Sequence, residues 1–306
     1  MVHIGKRLLA LVVLLLTISV LVFLMLHLIP GSPVSAILGQ NNTNPAMVAR
    51  LTEQLGLNEP LPVQFWRWLE QIAHGNFGYS YIRQQQVSTV IAQNLPSTIQ
   101  LAISGLFISV VGGILLGTAA AIRRGTATDS LLMGIFMTLV GLPSFWLGLI
   151  LILIFAVALP WFPVVGGSGL RGLVLPTVTL GVGLLGITGR FVRSSLIEAM
   201  GSPHVVAARA KGLSSTTVFT QHIARNAMLP VLTIVGLQVG SLVSGTVLVE
   251  VVFSRPGIGR LLVDSILSKD YATTQVVVLL IAGFYVITNL VVDLLYPILD
   301  PRVGGT

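Results

Sequence analysis

Hydrophobic residues fall in long unbroken runs separated by short polar stretches, without the strict alternation that marks a half-buried strand. The first run extends from Leu8 to Ile29 behind Lys6 and Arg7. At about 1.5 Å per residue it is long enough to cross the roughly 30 Å hydrocarbon layer of a membrane. Pro30-Gly31-Ser32-Pro33 follows it as a turn with no small-residue cleavage site, so the run reads as an uncleaved span. Further runs lie at Ser97–Ile122, Ser130–Leu159, Leu173–Phe191, Met228–Val252 and Gln275–Ile298, which predicts six transmembrane helices. Pro96 stands before the second, and Thr128 or Asp129 is placed to cap the third.

Residues 31–96 differ in character. Polar and aromatic positions recur there at helical spacing around Met47–Leu55 and Pro62–Ile72, which predicts a small helical insertion after the first helix. Lys6, Arg7, Arg123, Arg124, Arg190, Arg193, Arg209, Lys211, Arg225 and Arg302 all fall on one side of the predicted spans. Basic residues concentrate on cytoplasmic loops, so both termini are expected inside and the insertion outside.

Composition agrees with a multi-pass membrane protein. Charged residues make up 9% of 306 and hydrophobic ones 54%, against about one-quarter charged in soluble domains. Mean hydropathy is +0.93. The formal charge of +7 lies mostly between apolar runs, so it reads as topology and not as a nucleic-acid surface. The chain has no cysteine, which removes disulfides, thiolate nucleophiles and cysteine metal sites.

One long polar stretch, Glu198–Pro230, interrupts the second half on the predicted cytoplasmic side. Val205–Ala210 has good helix formers, Gly212 is placed to end that helix, and Ser214 or Ser215 can cap a second short one through Phe219. A helix, a break and a short helix with a basic, partly apolar face suit a groove on a soluble partner.

Here the residues resemble the permease subunits of ATP-binding-cassette importers. The cytoplasmic signature of that family is Glu-Ala-Ala, three residues, Gly, a spacer and Leu-Pro; Val206-Ala207-Ala208-Arg209-Ala210-Lys211-Gly212 and Leu229-Pro230 match it, with Val206 in place of Glu and a longer spacer. Those departures are similar to the dipeptide, oligopeptide and nickel branch. The match continues through Leu28-Ile29-Pro30-Gly31-Ser32-Pro33, Leu55-Gly56-Leu57, Gly75-Asn76-Phe77-Gly78, Pro256-Gly257-Ile258-Gly259-Arg260 and Asp300-Pro301-Arg302.

The resemblance implies an all-α membrane protein with a type I importer permease fold. Residues 1–30 would form the first transmembrane helix, 31–96 an external helical insertion, and 97–300 a core of five further helices with a coupling loop at 194–228. It implies a bacterial cytoplasmic-membrane location, a second homologous permease, two ATPase subunits and an external substrate-binding protein. ATP and magnesium would be bound by the ATPase subunits and no cofactor by this chain. Cargo would be dipeptides, oligopeptides or glutathione-like peptides, with a nickel or metal chelate as the alternative. Ala207, Ala208, Arg209, Lys211, Gly212, Leu213, Ser214 and Phe219 would couple to the ATPases.

Other chemistries find little support in the residues. None of the three lysines stands in a Gly-Lys-Ser/Thr phosphate loop, so ATP hydrolysis is not expected on this chain. Gly181-Val182-Gly183-Leu184-Leu185-Gly186 matches a dinucleotide fingerprint literally but lies inside an apolar run, where close helix packing is the better reading. The five histidines show no metal-ligand spacing, and His204 and His222 read as solvated loop residues. A secondary transporter would also explain six spans, but it typically has ionisable residues in mid-span and repeated halves.

Glu250 and Asp293 are charges near the ends of spans, where burial is costly. Glu250 with Pro256, Gly257 and Gly259 is a candidate external gate, the alternative being a pairing of Glu250 with Arg255 or with a residue of a partner subunit. Asn289 and Asp293, one helical turn apart, are candidates for a subunit interface.

Overall fold

In lipid a spanning segment must satisfy its backbone hydrogen bonds within itself, and the apolar runs accordingly fold as helices. The computed structural model describes residues 2–28, 34, 45–54, 56–164 and 169–299. In chain order these form α1 (Val2–Leu28), α2 (Pro45–Gln54), α3 (Leu61–Ala73), strands β1 (Tyr79–Ser80) and β2 (Gln85–Gln86), α4 (Val87–Ile122), α5 (Ala127–Gly141) and α6 (Ser144–Leu151). There follow α7 (Leu170–Met200), α8 (Pro203–Ala210), α9 (Ser215–Thr217), α10 (Arg225–Val252), α11 (Ile258–Leu267) and α12 (Tyr271–Leu299). Among the described residues α4, α7, α12 and the helix through Ser215–Leu242 are long and apolar enough to span; α5 with α6 supplies a fifth if the bent pair is one span, and α1 carries the apolar stretch Leu11–Leu24.

The chain divides into two compact units, residues 1–96 with 256–286 and residues 97–255 with 287–306. In the first, α3 lays Phe65 and Trp68 against Phe23 of α1, with ring centroids 5.5 and 6.0 Å apart. The two strands pair antiparallel, Tyr79 opposite Gln86 and Ser80 opposite Gln85, in a hairpin that the helical reading of this region did not include. Asp270 ties the hairpin down. Its buried carboxylate accepts from Ser80 Oγ (2.5 Å) and Thr273 Oγ1 (2.7 Å) at the start of α12.

The second run begins earlier than its proline predicted. α4 starts at Val87 and carries Pro96 within it, although an interior proline costs about 3 kcal/mol. Val87, Val90 and Ile91 are buried with Ile258, Leu261, Val276 and Val277. At about 1.5–3 kcal/mol for each buried side chain, that packing outweighs the lost hydrogen bond.

In the second unit α7 is the central helix, packed against α5, α6 and α10. Its glycines permit close approach. A Cβ on Gly181 would lie 2.7 Å from the Gly105 carbonyl of α4, one on Gly186 2.8 Å from the Phe136 carbonyl of α5, and one on Gly189 2.5 Å from the Phe136 ring. The fingerprint-like glycines are thus packing positions. A polar node also joins three helices: Ser109 Oγ of α4 donates to Gln238 Oε1 of α10 (2.9 Å), and Gln238 Nε2 donates to Thr188 Oγ1 of α7 (3.0 Å).

Three further boundaries differ from the sequence expectation. The third run is broken, with α5 and the helix through Ala158 meeting at 105°. Pro143 has no N–H to donate and disfavours helical geometry in the residue before it; Leu142 is extended, with ψ 126°. The helix also begins at Ala127, which leaves Asp129 inside its first turn and not at the cap. In the last case, the short helix expected to close by Phe219 continues through a π-helical segment, Val218–Ala224, into α10.

Candidate functional site

The polar loop is built on the end of α7. α7 runs to Met200, nine residues beyond the predicted Phe191, and Ser202–Pro203 then begins α8. Val192 and Leu196 of α7, Val205 and Ala208 of α8, Val218 and Ile223 of the π-helical segment, and Ala227 and Val231 of α10 form one buried cluster. The loop is therefore a packed element with a fixed seat.

Its turn has a specific chemistry. α8 ends at Lys211, after which Gly212 takes φ +78°. Gly212 N–H donates to the Arg209 carbonyl (2.9 Å) and Leu213 N–H to the Ala208 carbonyl (3.4 Å), the two bonds of a Schellman termination. A Cβ on Gly212 would meet nothing within 4 Å, so backbone conformation and not crowding calls for glycine here. Ser214 then caps α9, its Oγ accepting from Thr217 N–H (3.2 Å).

The residues assigned to coupling separate into two faces. Ala207, Arg209, Lys211, Gly212, Leu213 and Ser214 are exposed, whereas Ala208 is buried and Phe219 is half-buried against the cluster. Ala208 thus seats the loop on its own chain. His204 has a role that solvation did not anticipate: Asn226 Nδ2 lies 2.9 Å from His204 Nε2 and donates to the His222 carbonyl (2.9 Å), so Asn226 joins α8 to the π-helical segment.

An ion pair between a buried carboxylate and a half-buried guanidinium stands beside this loop, and the sequence reading did not pair its members. Arg193 of α7 grips Asp129 of α5 through both forks, Nε to Oδ1 at 2.6 Å and Nη2 to Oδ2 at 2.7 Å. Gly125 N–H adds a third bond to Asp129 Oδ2 (3.0 Å). A signal was available, because both residues stand at the same predicted end of consecutive spans and carry opposite charge.

Glu250 is fully buried near the end of α10, where Thr98 Oγ1 of α4 donates to its Oε1 (2.6 Å). Arg255 Nη2 reaches Gln100 Oε1 (2.9 Å). Burial pulls the Arg255 guanidinium below its ordinary pKa, and the Glu250 charge opposes that shift. Pro256, Gly257 and Gly259 belong to the other compact unit and open α11, with Gly257 in ordinary extended conformation. Asn289 is half-buried on α12, and the side chain of Asp293 lies outside the described residues.

The chain matches two family models: binding-protein-dependent transport system inner membrane component over residues 113–305, and its N-terminal membrane-component counterpart over residues 1–102. It is 42% identical over 301 residues to the glutathione transport system permease protein GsiC of Salmonella paratyphi A, covering 98% of each chain. The protein of that name from Escherichia coli K12 is 39% identical over the same coverage. Among solved structures, the MetNI methionine ABC transporter in an inward-facing conformation aligns with TM-score 0.57 at 17% identity, over 69% of this chain and 96% of that one. An amino acid ABC transporter crystallised with histidines aligns with TM-score 0.53 at 15% identity, over 70% and 94%. At such identities these two likenesses concern the fold.

Proposed function

Since the chain belongs to the binding-protein-dependent transport system inner membrane component family, we propose that its cargo is glutathione or a peptide of similar size, delivered by an external binding protein. The chain is a transmembrane permease subunit of an ABC importer, and transport is its work. The observation that carries the cargo assignment is 39–42% identity to glutathione permeases over 98% of both chains. That likeness favours a small peptide over a nickel chelate.

We assign six crossings, α1 included, with both termini and the polar loop in the cytoplasm of a bacterial inner membrane. The concentration of arginine and lysine at that side supports this topology. A second permease and two ATPase subunits complete the transporter, and ATP with magnesium is bound there. The exposed face of α8 and its turn, with Arg209, Lys211, Leu213 and Ser214, meets an ATPase subunit. Closure of the ATPases pushes on this face, and the buried cluster beneath it passes the movement into α7 and α10.

Glu250, held by Thr98, fixes the α10 end against α4 as part of the external gate, with Pro256, Gly257 and Gly259 opening the segment beyond it. Asn289, with Asp293 one helical turn on in the sequence, is assigned to the interface with the second permease.

The test is uptake of radiolabelled glutathione into proteoliposomes containing the permease pair, the ATPases and the binding protein. The expected result is accumulation that requires ATP and the binding protein and is unaffected by collapsing ion gradients. Uptake driven by an ion gradient without ATP would contradict the importer assignment, and ATP-driven uptake of nickel chelate alone would contradict the cargo.

A further inference from the structure

We infer that the Asp129–Arg193 ion pair is the link through which movement of the polar loop reaches α5, which makes both side chains positioning residues for transport. This rests on the reading of the loop as the ATPase contact.

Three observations converge on the pair. Asp129 is 4% exposed and its carboxylate has three donors, all with well-formed geometry. Burying the Asp129 carboxylate beside a half-buried guanidinium is expensive, and such a pair commonly adds no more stability than a well-packed apolar replacement. Stability alone therefore gives a weak account of why these groups are here, and fixing the register of two elements is the best-attested use of such a pair.

The surface between α5 and α7 shows what depends on that register. The fully buried ring of Phe136 on α5 sits on Gly189 of α7, with Gly186 beside it, a fit that holds only while the two helices keep their alignment. A two-pronged guanidinium–carboxylate contact has one geometry and does not survive a displacement of one residue.

Position completes the argument. Arg193 shares one turn of α7 with Val192 and Leu196, both buried in the cluster that seats α8 and the π-helical segment. One face of that turn thus meets the loop while Arg193 holds α5. From Asp129, α5 runs to the 105° break, beyond which Gly148 of α6 packs against Thr179 of α7, Val252 of α10 and Phe253 just after it. A shift of the α7 end moves α5 as a rigid arm pivoting at Leu142–Pro143.

The experiment compares Asp129→Asn, Arg193→Gln, Arg193→Lys and the exchanged pair Asp129→Arg with Arg193→Asp in the purified, reconstituted transporter. ATP hydrolysis and glutathione uptake are measured per assembled complex. Both single neutral variants should keep basal hydrolysis while uptake per ATP falls about tenfold, a size typical of coupling between sites. The exchanged pair should recover much of it, and Arg193→Lys should remain impaired because an ammonium lacks the planar fork.

A second readout is independent of cargo. The chain lacks cysteine, so Met137→Cys on α5 and Leu248→Cys on α10, both exposed, can carry spin labels. ATP binding should change their separation in the otherwise unsubstituted complex, and Asp129→Asn should abolish that change. Neutral variants with unaltered uptake per ATP and an intact distance change overturn the inference. So does a loss of uptake that merely follows the loss of assembled complex, which would make the pair a staple. If the unsubstituted chain purifies without ATPase subunits, the reading of the loop fails instead; if it hydrolyses ATP and shows the distance change but takes up no glutathione, only the cargo assignment fails.

Discussion

Gly212 stands at the point where α8 must reverse direction, and its φ of +78° is a conformation that costs a non-glycine residue about 1–2 kcal/mol. Space around it is open, so substitutions should be ranked by backbone tolerance and not by size. Asparagine visits this region readily, whereas leucine does not. Gly212→Asn should therefore retain most transport and Gly212→Leu should lose it, with membrane insertion unchanged in both; uptake normalised to inserted protein is the measurement. Equal, normal uptake by both would remove this turn from the coupling path. Ser254 and Lys269 occupy the same position after α10 and α11, with φ of +48° and +57°. Each helix closes with the same pair of bonds, Arg255 N–H to the Glu250 carbonyl and Asp270 N–H to the Ser265 carbonyl among them. Because Lys269 is exposed and not glycine, Lys269→Gly should raise stability by about 1 kcal/mol, visible as a higher melting temperature in detergent.

At the scale of elements, the helices of the second unit meet through glycine, and those contacts should be the least tolerant of added volume. Gly189→Ala drives a methyl into the Phe136 ring and should cost about 1–3 kcal/mol of stability. Adding Phe136→Leu should recover part of the loss in thermal unfolding, and strictly additive losses would argue against this contact. The apolar runs made most helices legible, and so did the Gly212 stop and the Ser214 cap, because length, capping and turn chemistry are local. What local pattern misjudged was decided by partners distant in sequence. Pro96 read as a boundary, but burial of Val87, Val90 and Ile91 holds the helix through it. Pro143 did carry a readable signal, a proline inside an apolar run, and the run was nonetheless read as one helix. The end of the short helix at Phe219 was misplaced because Val218 and Ile223 are held in the cluster that also buries Ala227, which carries the helix onward into α10.

For the molecule as a whole, the family was legible from motif order, and the division of the polar loop into a buried and an exposed face was not. Ala207 and Ala208 are adjacent in the motif, yet one is exposed and the other buried; only the packing of α8 on α7 separates them. The Asp129–Arg193 pair spans 64 positions and depends on two helices lying side by side, which no local pattern encodes. The exposed face of this loop is proposed to be where ATP hydrolysis is felt. It is tested most directly by a single cysteine at Leu213, which is exposed in a chain that has none of its own. In inside-out vesicles holding the whole transporter, Leu213→Cys should cross-link to an ATPase subunit, with a yield that changes on ATP binding, and should resist membrane-impermeant maleimide applied to intact cells. Labelling from outside, or the absence of any cross-link in a transporter that is assembled and active, would contradict the account.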